Sequence, residues 1–179
     1  MLDPVEMAAR ERALQFVREE AKFAQLTTVD AGGYPVTRTM TVFLNEDWSV
    51  GTVQRRQHRR LDQWRRRSQT EVVWVGTPQP GATNERPHVF DLGLLPPRVV
   101  SVRGDAEFMP TEWTEDVYRR AVIAQRAAGQ DRAPLRSPEE VSEDLLGVLI
   151  RPLRVRLEGF GEGAQSFLFT PSTPRKDDV

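Results

Sequence analysis

Between Gln54 and Arg67 the chain places Arg55, Arg56, Arg59, Arg60, Arg65, Arg66 and Arg67 against a single acid, Asp62. The stretch carries a formal +6 in a chain of net charge −1, which leaves −7 for the remainder. Guanidinium groups gathered this way suit one chemistry, the bidentate capture of phosphate or carboxylate oxygens. A charge run is usually the solvated face of a helix, and that reading has to be weighed against the first. The neighbourhood favours an anion. The run follows two predicted strands joined by a turn, a place where a phosphate-bearing cofactor or a nucleic acid docks.

Other chemistry is poorly provided for. Cysteine is absent, which removes disulfides, thiolate metal sites and a thiol nucleophile. His58 and His88 have no spacing to each other or to a carboxylate pair that makes a metal site. There is no Gly-x-Ser-x-Gly, and no Walker or dinucleotide glycine fingerprint. Gly32-Gly33 reads as a hairpin turn, and Gly159, Gly161 and Gly163 follow a strand without opening a helix. The acid pairs Glu139-Glu140 and Glu143-Asp144 read as a solvated helix face. A chain without a strong acid, base or nucleophile either binds something or borrows its chemistry from a cofactor.

The elements that must position the arginines can be read from periodicity. Asp3 and Pro4 open an amphipathic helix over residues 4–23, with Leu14, Val17, Ala21 and Ala24 at three- and four-residue steps. Strands follow at 24–29, 34–44 and 48–53, separated by turns at Asp30-Ala31-Gly32-Gly33 and Asn45-Glu46-Asp47. The arginine run becomes helical over 57–67, with Leu61 and Trp64 as the apolar face that pins it to the sheet. A central strand at 72–76 holds Trp74. Residues 77–97 contain five prolines and read as a long loop able to cover a site, with a turn of helix near 88–92. Residues 98–109 alternate as a strand with a bulge expected at Gly104, and 111–128 form a helix capped by Thr111. Ser137-Pro138-Glu139-Glu140 resembles a helix start, and strands at 145–160 and 166–169 finish the chain. The whole reads as one domain over residues 1–170, with a loose tail at 171–179. The fold class is mainly β with flanking helices, a small barrel or curled antiparallel sheet of about six strands. With charges throughout the first 25 residues and no long apolar run, the expectation is a cytoplasmic protein without membrane contact. An isoelectric point near 6.2 argues against a surface built wholly for nucleic acid.

The order of these elements carries a resemblance. Phe23-Ala24-Gln25-Leu26-Thr27-Thr28-Val29-Asp30 with Gly33-Tyr34-Pro35 resembles the opening hairpin of the pyridoxamine 5'-phosphate oxidase-like split-barrel flavoproteins, whose pattern is ATLATVDxDGxP. The strand Val36-Thr37-Arg38-Thr39-Met40-Thr41-Val42-Phe43 is similar to the family's cofactor strand. Val50-Gly51-Thr52 with the arginine run is similar to its YxTxxxSRKxxxL segment. The similarity spans about residues 10–75, and more loosely the strands at 98–109 and 148–158.

The resemblance implies a six-stranded antiparallel split β-barrel of the flavin-reductase type, and a homodimer with FMN at the subunit interface. It places Arg38 at the FMN phosphate, Thr39, Met40 and Thr41 along the ribityl chain or ring, and Thr52 near the phosphate. Two registers of the arginine run remain open. Arg59 and Arg60 match the family's Arg-Lys pair if Trp64 takes the apolar helix position, whereas Arg55 and Arg56 lie nearest the phosphate if Leu61 does. Val99 stands where vitamin B6 oxidases carry a glutamine, and their C-terminal tryptophan and arginine signature is missing, so oxidation of pyridoxamine phosphate is not expected. What is expected is a flavin-dependent oxidoreductase passing hydride to or from a small molecule, with Trp74 or the 77–97 loop shaping the substrate side. A related branch binds a deazaflavin coenzyme with a long anionic tail, which the surplus arginines suit. A further branch binds haem. From a different class, a split barrel serving only as an anion or nucleic-acid binder remains open.

Overall fold

In this computed structural model, residues 3–82, 95, 97–161 and 165–171 are described. The chain runs α1 (Pro4–Glu19), β1 (Ala24–Val29), β2 (Pro35–Met40), β3 (Phe43–Leu44), β4 (Val50–Arg55), α2 (Arg59–Arg66), β5 (Gln69–Gly76), β6 (Arg98–Phe108), α3 (Thr111–Ala127), α4 (Pro138–Asp144), β7 (Leu145–Glu158) and β8 (Ser166–Phe169). The strands form one sheet in the order β2-β1-β5-β6-β7-β4-β3, with β8 added to β7. Every pairing is antiparallel. No helix among the described residues is long and apolar enough to cross a membrane.

The two ends of that path, β2 and β3, are separated in sequence only by Thr41 and Val42. The sheet must therefore curl until its edges meet. This is why the expected continuous strand at 34–44 is broken, since β2 ladders with β1 while β3 ladders with β4. The break makes two strands of one expected strand and brings the count to eight, against about six expected.

β7 is the spine. Its first half pairs with β4 over Leu145–Ile150 and its second half with β8 over Val155–Glu158. Its inward residues are Val148 and Ile150, and then Val155 and Leu157, all fully buried. That change of parity requires one extra residue, and the β6–β7 register shifts between Arg103 and Gly104 to absorb it. Gly104 is needed there because a Cβ would collide with the Arg151 carbonyl. The bulge therefore falls where the sequence places it.

Inside the curl, Leu26, Val50, Val72, Trp74, Val100 and Val102 meet the β7 residues in a continuous apolar core. Trp74 is only 1% exposed, so it belongs to this core and not to a substrate face. α1 closes one side with Ala9, Ala13, Phe16 and Val17. Asp3 caps it through a bond from the Val5 amide. The helix ends at Glu19 and not at residue 23. The Glu20 and Ala21 amides both fall back on the Phe16 carbonyl, and Glu20 turns to take Arg98 through two bonds of 2.8 and 2.6 Å.

Two other local expectations are revised. β4 begins at Val50 because Trp48 takes a positive φ of 67° in the preceding turn, its ring packed on Phe169. The N-cap of α3 is Pro110, with no side-chain cap. Thr114, rather than Thr111, makes the polar tie there, donating to the Pro110 carbonyl and accepting from the Gly147 amide. Ser137 and Glu140 do form a full capping box on α4. The expected helical turn at 88–92 lies outside the described residues.

Candidate anion-binding site

Strand alternation on β2 sends Val36, Arg38 and Met40 to one face and Thr37 and Thr39 to the other. Arg38 is half-buried. Its Nη1 donates to Gln63 Oε1 at 3.1 Å and to Thr28 Oγ1 at 3.3 Å, and the Thr28 hydroxyl donates to the same Gln63 oxygen at 2.7 Å. One amide oxygen thus fixes both a strand hydroxyl and a guanidinium. Gln63 is available because Leu61 and Trp64 are buried against the sheet and Trp64 Nε1 is anchored to Thr70 Oγ1 at 2.7 Å. Arg60, one turn earlier on α2, then lies beside Met40, with Nη1 2.7 Å from the sulfur.

The electrostatics of the pair are unusual. Burial, and after it the positive charge of Arg38, lower the pKa of Arg60. A thioether is a weak acceptor and does not neutralise a cation. Among the described residues neither Arg38 nor Arg60 makes an ion pair. Two partly desolvated guanidiniums side by side without a carboxylate hold a surplus of charge that an anion would relieve.

The other sequence-proposed residues lie apart from this pair. Thr39 is on the outward face, accepting from Gln25 Nε2 at 3.0 Å. Thr41 is exposed between β2 and β3. Thr52 is buried inside the curl and accepts from Gln54 Nε2 at 2.6 Å. Arg55 is exposed on the outer side of β4. Arg56 is tied to the end of α4, its Nε donating to the Ser142 carbonyl at 3.0 Å. Arg59 is exposed at the start of α2. Of the two open registers, only the first, that of Arg59 and Arg60, brings an arginine, Arg60, to Arg38. Sequence reasoning passed over Thr28 and Gln63. The signal was present in Thr28, a polar side chain two residues from Leu26 and hence pointing inward, where it must find a partner.

No family model matches the sequence, and no curated protein matches it. Solved structures do. A pyridoxamine 5'-phosphate oxidase-related, FMN binding protein from Nostoc punctiforme PCC 73102 is similar with a TM-score of 0.58 at 20% identity, covering 94% of this chain and 91% of that one. A protein related to general stress protein 26, of the pyridoxinephosphate oxidase family, from Clostridium acetobutylicum gives 0.56 at 10% identity, over 94% and 96%. A heme binding protein from Mycobacterium smegmatis gives 0.54 at 15% identity, over 95% of this chain and 60% of that one. At such identities the likeness is one of fold. The chain has the curled antiparallel fold of the pyridoxamine 5'-phosphate oxidase-like proteins, mainly β with flanking helices.

Proposed function

We propose that the chain is a flavin-dependent oxidoreductase that holds FMN by its phosphate on Arg38 and Arg60. The observation that carries this reading is the pair of half-buried guanidiniums with no carboxylate partner among the described residues, on a fold shared with an FMN binding protein. A phosphate monoester brings close to two negative charges at neutral pH, which matches two arginines. Each charge-assisted bond contributes about 1.5–3 kcal/mol. When bound, FMN supplies the hydride chemistry. The chain's own task is to bind and orient: Gln63 fixes the plane of the Arg38 guanidinium, and Met40, on the same face of β2, is the next group along the strand to meet the ribityl chain.

The same reading includes a second copy of the chain. The outward face of the sheet carries Phe23, Val75 and Leu168, each more than half exposed. Val73 pairs with Gln25 on one side and Ser101 on the other, and Ser101 is followed by Arg156 and Leu168 along one row. An apolar patch with polar rows across a flat sheet face is the kind of surface that a self-complementary dimer buries.

One observation supports a second reading. Arg59, Arg66 and Arg67 are exposed and in no ion pair among the described residues, and FMN offers nothing for them. A deazaflavin with an anionic tail does. The mass of the ligand that copurifies with the protein separates the two readings.

The test of the phosphate grip compares FMN with riboflavin, which lacks the phosphate, by quenching of flavin fluorescence. Arg38→Ala weakens FMN binding tenfold to a hundredfold and leaves riboflavin unchanged. Equal FMN affinity in wild type and variant removes the reading.

A further inference from the structure

A cleft of about 350 Å³ opens on the outer side of β4 beneath α3. Its apolar walls are Val53, Pro134, Leu145 and the ring of Tyr118, and its polar lining is Arg55, Arg136 and His58. The Tyr118 hydroxyl donates to the Pro134 carbonyl at 2.6 Å, which holds the segment after α3 against that helix. Arg136 is engaged with Asp144 at 2.6 Å. Arg55 makes no ion pair among the described residues.

His58 is held in one tautomer from inside the barrel. Thr52 Oγ1 accepts from Gln54 Nε2, which turns Gln54 Oε1 toward His58 Nδ1 at 3.3 Å. An amide oxygen can only accept, so Nδ1 carries the proton and Nε2, on the opposite edge of the ring, keeps a lone pair. The charged and titratable groups around the ring are Arg55 on β4, Arg60 on α2, Tyr118 on α3, and Arg136 with Asp144. Burial, then Arg60, then Arg55 lower its pKa, all three favouring the neutral imidazole.

The geometry points to a binding site for a small organic acid. Arg55 takes a monoanionic carboxylate, the apolar body lies against Val53, Pro134, Leu145 and Tyr118, and His58 Nε2 accepts a hydrogen bond from a donor on the ligand. A single unpaired guanidinium calls for one negative charge, and Asp144, paired with Arg136 of the lining, disfavours a second. Neither Arg38 nor Arg60 lines this cleft, although Arg60 lies within electrostatic reach of His58.

The experiment uses the full chain and 4-hydroxybenzoate as probe, with 4-hydroxybenzyl alcohol as the neutral control. Binding is followed by calorimetry and by the His58 ring carbon resonance, assigned by its loss in His58→Gln in a chain with two histidines. The expected result is saturable binding of the carboxylate with a saturable displacement of the His58 ring resonance. Arg55→Ala weakens it at least tenfold, Arg55→Lys retains most of it, and Arg38→Ala leaves it unchanged. The alcohol does not saturate over the same range. The inference is overturned if the carboxylate fails to saturate at millimolar concentration. It is equally overturned if Arg38→Ala abolishes binding while Arg55→Ala, shown to be folded by its melting curve, does not.

Discussion

Replacing Arg60 with Met is expected to raise the stability of the ligand-free protein while abolishing its affinity for phosphate. The Arg60 guanidinium is partly desolvated, stands beside the Arg38 cation, and has a thioether sulfur as its polar contact. Methionine keeps the linear stem and extends the packing against Met40, and it removes both the buried charge and the repulsion. Exchange of buried charge for apolar volume is commonly neutral to stabilising, so we expect a gain of about 1 kcal/mol. For a chain of this size that is about 2–4 °C in melting temperature. The sign reverses with ligand. FMN at 100 times its dissociation constant adds about 2.7 kcal/mol to the wild type, and the variant forfeits most of that gain. Thermal denaturation followed by circular dichroism, with and without FMN, should thus give curves that change order. Raising the salt to about 1 M shortens the screening length to about 3 Å and should narrow the ligand-free difference. A variant that melts below wild type without ligand would refute the reasoning, because Arg60 would then be a structural residue satisfied by its present contacts.

Three further outcomes are expected. Glu20 has its pKa lowered chiefly by its hydrogen bond to Arg98, so its contribution to stability is complete above the ordinary carboxylate range and is lost as pH falls through the depressed value. Melting temperature against pH should therefore drop more steeply on the acid side in wild type than in Glu20→Gln. Gly51→Ala would drive a Cβ into the Phe43 ring, which stacks on Trp113 with centroids 6.3 Å apart. A loss of about 1–3 kcal/mol in denaturant unfolding is expected, partly recovered by Phe43→Leu, and no loss would mean that the ring moves freely. On the proposal that the exposed sheet face joins two copies, Val75→Lys there should lower the mass seen in analytical ultracentrifugation to that of a monomer without unfolding the chain, and an unchanged mass would remove that face as a dimer surface.

Much of the fold was legible because its strands obey local rules. The alternation of Leu26 with Thr28, and of Val100 with Val102, identifies an inward face before any pairing is known. Ser137 and Glu140 signal the start of α4 through a purely local motif. What escaped was set by distant parts of the chain. Nothing near Ala21 says that α1 must stop early, because the cause is Arg98, 78 positions from Glu20. Likewise Thr41 and Val42 look like strand, and only the closure of the sheet takes them out of the ladder.

The site divides along the same line. Composition locates the arginines but cannot rank them, since seven similar side chains in fourteen residues differ mainly in what lies opposite. Leu61 and Trp64 set the rotation of α2, and that rotation alone sends Arg60 and Gln63 to β2 while Arg59 faces solvent. Arg56 is claimed by the Ser142 carbonyl, 86 positions away. An arginine's capacity to bind an anion depends on having no such claimant. Sequence records where guanidiniums are, and the fold decides which of them remain unspent.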